Sequence, residues 1–266
     1  MKEGLRNRLR GIFPPLLTLF LLLAVWEAGA RLVKVEAWLL PAPSRIAASL
    51  VESWELLLRH TGPTLTEAAL GFGLGIGVAL LLAVGIELFP WLRRGVYPLL
   101  ITSQTVPVIA VAPLLILWFG YGLLPKVLIV ALVTFFPVVV STVDGLRSAD
   151  PDMVRLLKSM GAGEWRVFRM VRFPHALPSF FSGMKIAATY GILGAVIAEW
   201  LGASEGLGVF LIRSQNSFAA DRVFVAIAAI TFWSLILFGL VQVLARWAAP
   251  WAYIHNEEDR RGEKEG

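Results

Sequence analysis

Reactive side chains are scarce in this chain, and those present are not spaced for catalysis. It has no cysteine, which excludes thiolate metal sites and disulfide frameworks. Its three histidines, His60, His175 and His255, lie far apart without ligand spacing. No G-x-x-x-x-G-K run is present to cradle nucleotide phosphates, so ATP is not held by that route. What remains is polar chemistry of two kinds. One is a basic island from Ser148 to Pro178, SADPDMVRLLKSMGAGEWRVFRMVRFPHALP, set between long apolar runs. The other is a set of polar or helix-breaking residues inside those runs, among them Gln104, Thr105, Pro107, Tyr190 and Glu199.

The island reads as helix, glycine, helix. Asp150 is placed to cap the first helix, Pro151 suits its first turn, and Asp152 complements the positive end of its dipole. Met153, Leu156, Leu157 and Met160 recur at helical spacing, with Arg155 and Lys158 on the other side. Gly161 is expected to end the helix in a left-handed cap, followed by Ala162. A second short helix carries Trp165 and Phe168 and is expected to stop near Phe173, because Pro174 interrupts the hydrogen-bond ladder. Two short helices between apolar runs have no core in which to bury Met153, Leu157, Met160 and Trp165. Those side chains must lie on lipid or be covered by a partner. A DNA-reading helix-turn-helix has the same outline. It would need a soluble domain to hold it, whereas apolar spans press on both sides here, so nucleic acid is not an expected partner.

The elements that position these residues follow from composition. The chain is 57% hydrophobic and 16% charged, with mean hydropathy +0.72, which indicates an all-α polytopic membrane protein. Crossing a bilayer takes roughly 20 residues per helix. Six candidate spans lie at about 12–33, 65–89, 96–119, 125–143, 177–201 and 223–247. They leave a basic N-terminus at 1–11, the island at 148–176 and a charged tail at 255–266, with 12–254 forming the membrane domain. Ala28-Gly29-Ala30 resembles a signal-peptide cleavage site, but Glu27 can pair with Arg31 one turn later, and an uncleaved span is expected.

Between the first two spans, Leu40-Pro41-Ala42-Pro43 reads as an extended turn and Ser44 as a helix cap. Arg45 to Arg59 reads as an amphipathic helix on the outer surface, with Ile46, Leu50, Trp54 and Leu57 on one side. In the second span Gly71, Gly73, Gly75 and Gly77 form two interleaved small-xxx-small pairs suited to close helix approach. Glu67 falls near its outer end, where hydration is cheap. Pro90, Arg93 and Arg94 read as a short turn. The third span contains Ser103, Gln104, Thr105, Pro107 and Pro113. Backbone groups freed by proline in a bilayer must meet protein or water, and polar side chains there usually face a bundle interior or wet path. A translocation path is expected there; the plainer reading is a kinked helix in which Gln104 only bonds a neighbour. Thr189, Tyr190 and Gly191 sit mid-way along the fifth span, where they can face a solute, and Lys185 can snorkel. Glu199 either gates the path or anchors the helix end. Residues 202–222 are expected to be an outer loop or a partly re-entrant segment.

With both termini inside the cell, all but seven of the 24 Lys and Arg fall on the cytoplasmic side, which satisfies the positive-inside rule. It also places the helix-glycine-helix island in the cytoplasm.

The island's spacing carries a resemblance. Gly161, nine residues, then Val171-Arg172-Phe173-Pro174 resembles the signature loop of binding-protein-dependent ABC importer permeases, EAA, three residues, Gly, nine residues, I-x-L-P. The EAA positions hold Arg155-Leu156-Leu157. Further stretches are similar to the nitrate, sulfonate, taurine and thiamine-precursor branch: 174–208, 104–132, LPAPS at 40–44, and the Trp26-Glu27 to Arg31 cluster. The resemblance implies a type I permease fold and a partner dimer, expected to be a second copy of this chain. It implies cytoplasmic ABC ATPase subunits that receive the loop and an external solute-binding protein. Met153, Leu156, Leu157, Met160, Gly161, Ala162, Trp165 and Pro174 are then the coupling residues. This chain would bind no cofactor and catalyse nothing, since ATP and magnesium belong to the ATPase. The expected solute is a small organic molecule, a hydroxymethylpyrimidine-type thiamine precursor first, then riboflavin, alkanesulfonate, taurine or nitrate. A self-sufficient secondary transporter would instead favour embedded charges and inverted repeats, and neither is evident. A membrane enzyme would need clustered His, Asp or Glu at mid-span, and these are absent.

Overall fold

The computed structural model describes residues 2–32, 36 and 38–252, so the tail from His255, and Lys34, lie outside the described residues. Helices α1 (Lys2–Leu32), α2 (Pro43–Glu52), α3 (Trp54–Leu88), α4 (Pro90–Ser103), α5 (Val108–Phe119) and α6 (Leu123–Arg147) come first. Then follow α7 (Pro151–Ser159), α8 (Glu164–Val167), a π turn (Phe168–Arg172), α9 (Phe173–Trp200), α10 (Leu207–Asn216) and α11 (Ala220–Ala248). Among the described residues, five helical runs are long and apolar enough to cross a membrane, the fourth being Glu164–Trp200, and six spans result if α4 and α5, bent by 102° at their break, count as one.

The chain divides into two compact units. One comprises Met1–Arg59 and Phe210–Ala229, the other His60–Val209 and Ile230–Gly266. In the first, Glu27 organises the local structure. Its carboxylate accepts hydrogen bonds from Arg31 Nε (2.6 Å), Ser44 N (2.9 Å) and Ser44 Oγ (2.7 Å). The expected Glu27–Arg31 pair is therefore present, and Ser44 takes a different part from the one expected. The cap position falls at Ala42, Pro43 opens α2, and the N–H and hydroxyl of Ser44 are claimed by Glu27. Trp26 packs on Phe224 at 5.3 Å, and Arg45 pairs with Asp221 at 3.2 Å.

The expected surface helix over 45–59 is interrupted. Ser53, whose hydroxyl is turned back to the Ser49 carbonyl (2.5 Å), ends α2, and α3 then runs without a break from Trp54 to Leu88. Its 35 residues are about 50 Å long at 1.5 Å each, longer than the roughly 30 Å hydrocarbon layer. The helix that carries the second span thus begins well before Leu65. The expected turn at Pro90, Arg93 and Arg94 is also helical. Pro90 opens α4, where a missing N–H costs nothing.

The second unit is built on α6 packed antiparallel against α9. Small residues let the two backbones approach. A Cβ on Gly183 would come 2.6 Å from the Pro137 carbonyl, and one on Gly145 2.6 Å from Ser179 Cβ. Lipid gives little hydrophobic drive to helix association, so such close van der Waals contact has to supply it. Helix α3 runs parallel to α6 and uses one of its two glycine pairs. A Cβ on Gly71 would overlap Val130, and one on Gly75 would overlap Thr134, whereas Gly73 and Gly77 face open space. Phe72, Ala79, Ala83 and Ile86 of α3 then join Val138, Val139 and Val143 of α6, Met184, Ala187 and Ala188 of α9, and Val241 and Ala245 of α11 in one buried core.

Candidate functional site

The basic island folds into an elbow. Asp150 caps α7 by accepting the Asp152 N–H at 2.8 Å, and Pro151 occupies the first turn. At the far end the Ala162 N–H reaches the Leu157 carbonyl and the Gly161 N–H reaches that of Lys158, both at 3.0 Å. This closure requires a left-handed residue, and Gly161 supplies it with φ +82°. Lys158 Nζ then pairs with Glu164 at 2.5 Å across the bend.

The expected stop near Phe173 does not occur. From Glu164 to Trp200 the helix is continuous, and the π turn at Phe168–Arg172 accommodates Pro174. The Phe173 N–H bonds to the carbonyl of Phe168, five residues back, which widens the ladder just before the proline. One inserted residue thus does what a chain break was expected to do.

The elbow's root is tied down while its outer side is bare. Arg172 forms an ion pair with Glu87 at the end of α3. Tyr97 of α4 donates to Asp144 of α6 at 2.9 Å, and Arg147 lies 5.2 Å over the Tyr97 ring. Val167 and Phe168 are buried, and Trp165 stacks on Phe168 at 5.4 Å. Met153, Leu156, Met160 and Trp165 are nevertheless 51%, 56%, 74% and 61% exposed. Leu157 and Ala162 are half-buried, and Pro174 lies within α9. The expected coupling residues therefore come together on one elbow, most of them with apolar surface uncovered. The anchors Glu87, Tyr97, Asp144 and Arg147 escaped the sequence reading, because each partner is distant along the chain.

The expected path residues separate. Gln104, Thr105 and Pro107 form the break between α4 and α5 and are exposed. The hydroxyls of Thr102 and Thr105 turn back to the Pro98 and Thr102 carbonyls at 2.9 and 2.8 Å, while the Gln104 side chain has no hydrogen-bond partner among the described residues. Tyr190, on α9, is 49% exposed. Glu199 is 1% exposed and bound on several sides. It accepts the Thr64 hydroxyl at 2.5 Å and the Gly208 N–H at 2.6 Å. Thr64 in turn accepts the Leu207 N–H at 2.8 Å, and His60 Nδ1 accepts the Gly206 N–H at 2.9 Å. These four hydrogen bonds clasp the turn after α9 to the part of α3 that lies in this unit. Gly206, at φ +137°, is needed there because a Cβ would overlap the Glu199 carboxylate. The segment expected as outer loop contains α10, which starts from this clasp. Glu67 corrects another expectation: it is buried rather than hydrated and pairs with Lys126 at 2.6 Å.

Residues 71–250 match the family model described as the binding-protein-dependent transport system inner membrane component. The formylaminopyrimidine transport permease protein ThiX of Halalkalibacterium halodurans is 37% identical over 89% of this chain and 95% of its own length. The riboflavin transport system permease protein RibX of Chloroflexus aurantiacus is 37% identical over 88% of each chain, and the taurine permease TauC of Escherichia coli 32% over 88% of each. A crystal structure of an amino acid ABC transporter superposes with TM-score 0.61 at 16% identity, covering 75% of this chain and 97% of that one. The apolar helices, the elbow and these matches have one reading: the chain belongs to the inner-membrane permeases of binding-protein-dependent ABC importers, multi-pass proteins of the type I permease fold.

Proposed function

We propose that this permease takes up a small heterocyclic solute and that its elbow is the handle through which a separate ATPase drives the helices. The observation that carries the coupling role is the elbow's asymmetry. Its root is pinned by Arg172–Glu87 and Tyr97–Asp144, while Met153, Leu156, Met160 and Trp165 stand exposed. A rigid apolar projection of this kind suits insertion into a partner's groove. In this reading the elbow and both termini are cytoplasmic, ATP and magnesium stay on the ATPase, a solute-binding protein docks on the opposite side, and two copies of the chain form the pathway.

The break at Gln104–Pro107 supports a solute path. Its backbone is outside any helix in an apolar region; the Thr105 and Val106 N–H groups bond back to the Thr102 and Ser103 carbonyls, and the groups that the turn leaves unmatched must meet protein or water. Gln104 and Thr105 can offer hydrogen bonds there, whereas Tyr190 lies apart on α9 and Glu199 serves the clasp. Relatives named for formylaminopyrimidine and riboflavin transport, both at 37% identity, favour a nitrogen heterocycle over a sulfonate. Binding assays with the cognate external protein test the solute: tight binding of taurine and none of a pyrimidine would reverse the assignment.

Met160→Glu tests the coupling role. A carboxylate at the most exposed apolar position of the elbow should abolish uptake and co-purification of the ATPase without altering membrane insertion. Wild-type uptake by this variant would refute the role.

A further inference from the structure

At the root of the elbow, four guanidinium groups surround one open pocket of about 480 Å³. Arg93 of α4, Arg147 at the end of α6, Arg155 of α7 and Arg172 of the π turn line it, together with Glu87. Glu87 is the one carboxylate in this lining and is already matched by Arg172. Asp152 lies 3.6 Å from Arg155, and both are largely exposed, so that pair is screened and weak. Arg93 and Arg147 have no carboxylate within ion-pair distance among the described residues. Glu87 is shared among Arg172, Arg93 and Arg147, and four arginines against this carboxylate and Asp152 leave the pocket with an excess of positive charge.

Its depth identifies the ligand. The apolar helices α3 and α6 end here, at Leu88 and Arg147, and the long helix of α9 passes at Arg172. This is the level at which hydrocarbon gives way to headgroups. Arginine presents a planar fork of donors that matches phosphate oxygens, and basic pockets between membrane helices hold anionic headgroups. We propose that this pocket binds the phosphate of an anionic phospholipid through Arg93, Arg147 and Arg155, mooring the elbow to the membrane surface. A soluble phosphate offers the same chemistry but lacks a reason to sit at headgroup depth.

The test uses the full-length permease in phosphatidylcholine nanodiscs containing spin-labelled phosphatidylglycerol, with the immobilised lipid fraction read by electron paramagnetic resonance. Replacing Arg93 and Arg155 together by Gln should weaken retention by about fivefold per arginine. Arg94→Gln with Arg166→Gln removes the same charge outside the pocket and should leave retention unchanged. Equal loss in both pairs would reduce the effect to diffuse surface charge and overturn the site. Displacement of the lipid by inorganic phosphate would assign the pocket to a soluble anion. Unchanged lipid retention with loss of ATPase co-purification would assign it to an acidic protein surface instead. Lipid retention is measured on the permease alone, so it stands or falls separately from the coupling role.

Discussion

Glu199 shows how one buried carboxylate can hold a membrane protein's turn in place. It receives the Thr64 hydroxyl and the Gly208 amide, and Gly206 is kept bare to admit it. Truncation to Ala leaves the Gly208 amide without an acceptor in a buried site, at roughly 1–3 kcal/mol, and leaves the Thr64 hydroxyl only its longer bond to the His60 carbonyl (3.3 Å). Glu199→Ala should therefore lower the unfolding temperature in detergent by several degrees, and Glu199→Gln, which keeps one acceptor, should lower it less. A Glu199→Ala protein with unchanged melting would show that the clasp contributes nothing to stability. The sequence presented Glu199 as either a gate or an anchor, and the approach of Thr64, 135 residues earlier, is what brings it into the clasp. The short E-G-L-G run that follows it, Glu205 to Gly208, is the local signal that could have pointed there.

Among the elements, periodicity and punctuation foretold most of what is observed. Asp150, Pro151 and Gly161 set the ends of α7 where their chemistry places them. The failures have a common physical cause: a helix in lipid continues wherever its backbone bonds are satisfied, whatever local breakers suggest. Pro174 was overridden by the π turn, and residues 54–59, polar enough to read as part of a surface helix, simply belong to α3. The glycine stripes show the same limit. Sequence spacing offered two pairs, and contact selects Gly71 and Gly75. Gly75→Val should drive α3 away from Ala131 and Thr134 and lower both stability and uptake, while Gly77→Val, facing open space, should be close to neutral. Thermal denaturation of the two variants side by side checks this, and equal effects would contradict the packing.

At the scale of the molecule, the family and fold were legible because they rest on composition, on one spaced motif and on several further similar stretches. The bare side of the elbow was legible only as apolar residues lacking a core. The absence of cysteine makes the orientation directly measurable. A single Met160→Cys reporter, at a site 74% exposed, should react with a membrane-impermeant maleimide in inverted vesicles and not in intact cells. Assembly with the ATPase should protect it. Labelling from outside intact cells would invert the topology and remove the coupling role with it.

The π turn lets its helix hold one residue more than a regular ladder would. Five residues of such a wide turn sweep about the same angle as four of an α-helix, so Phe168–Arg172 keeps Trp165 near the azimuth that an unbroken α-helix would give it. A further residue would find no such slack: an alanine inserted after Arg172 should turn Trp165 and the segment before it by about 100° about the helix axis. The lengthened protein should still cross the bilayer but no longer co-purify with the ATPase, and retained co-purification would show that the bearing of the elbow is immaterial.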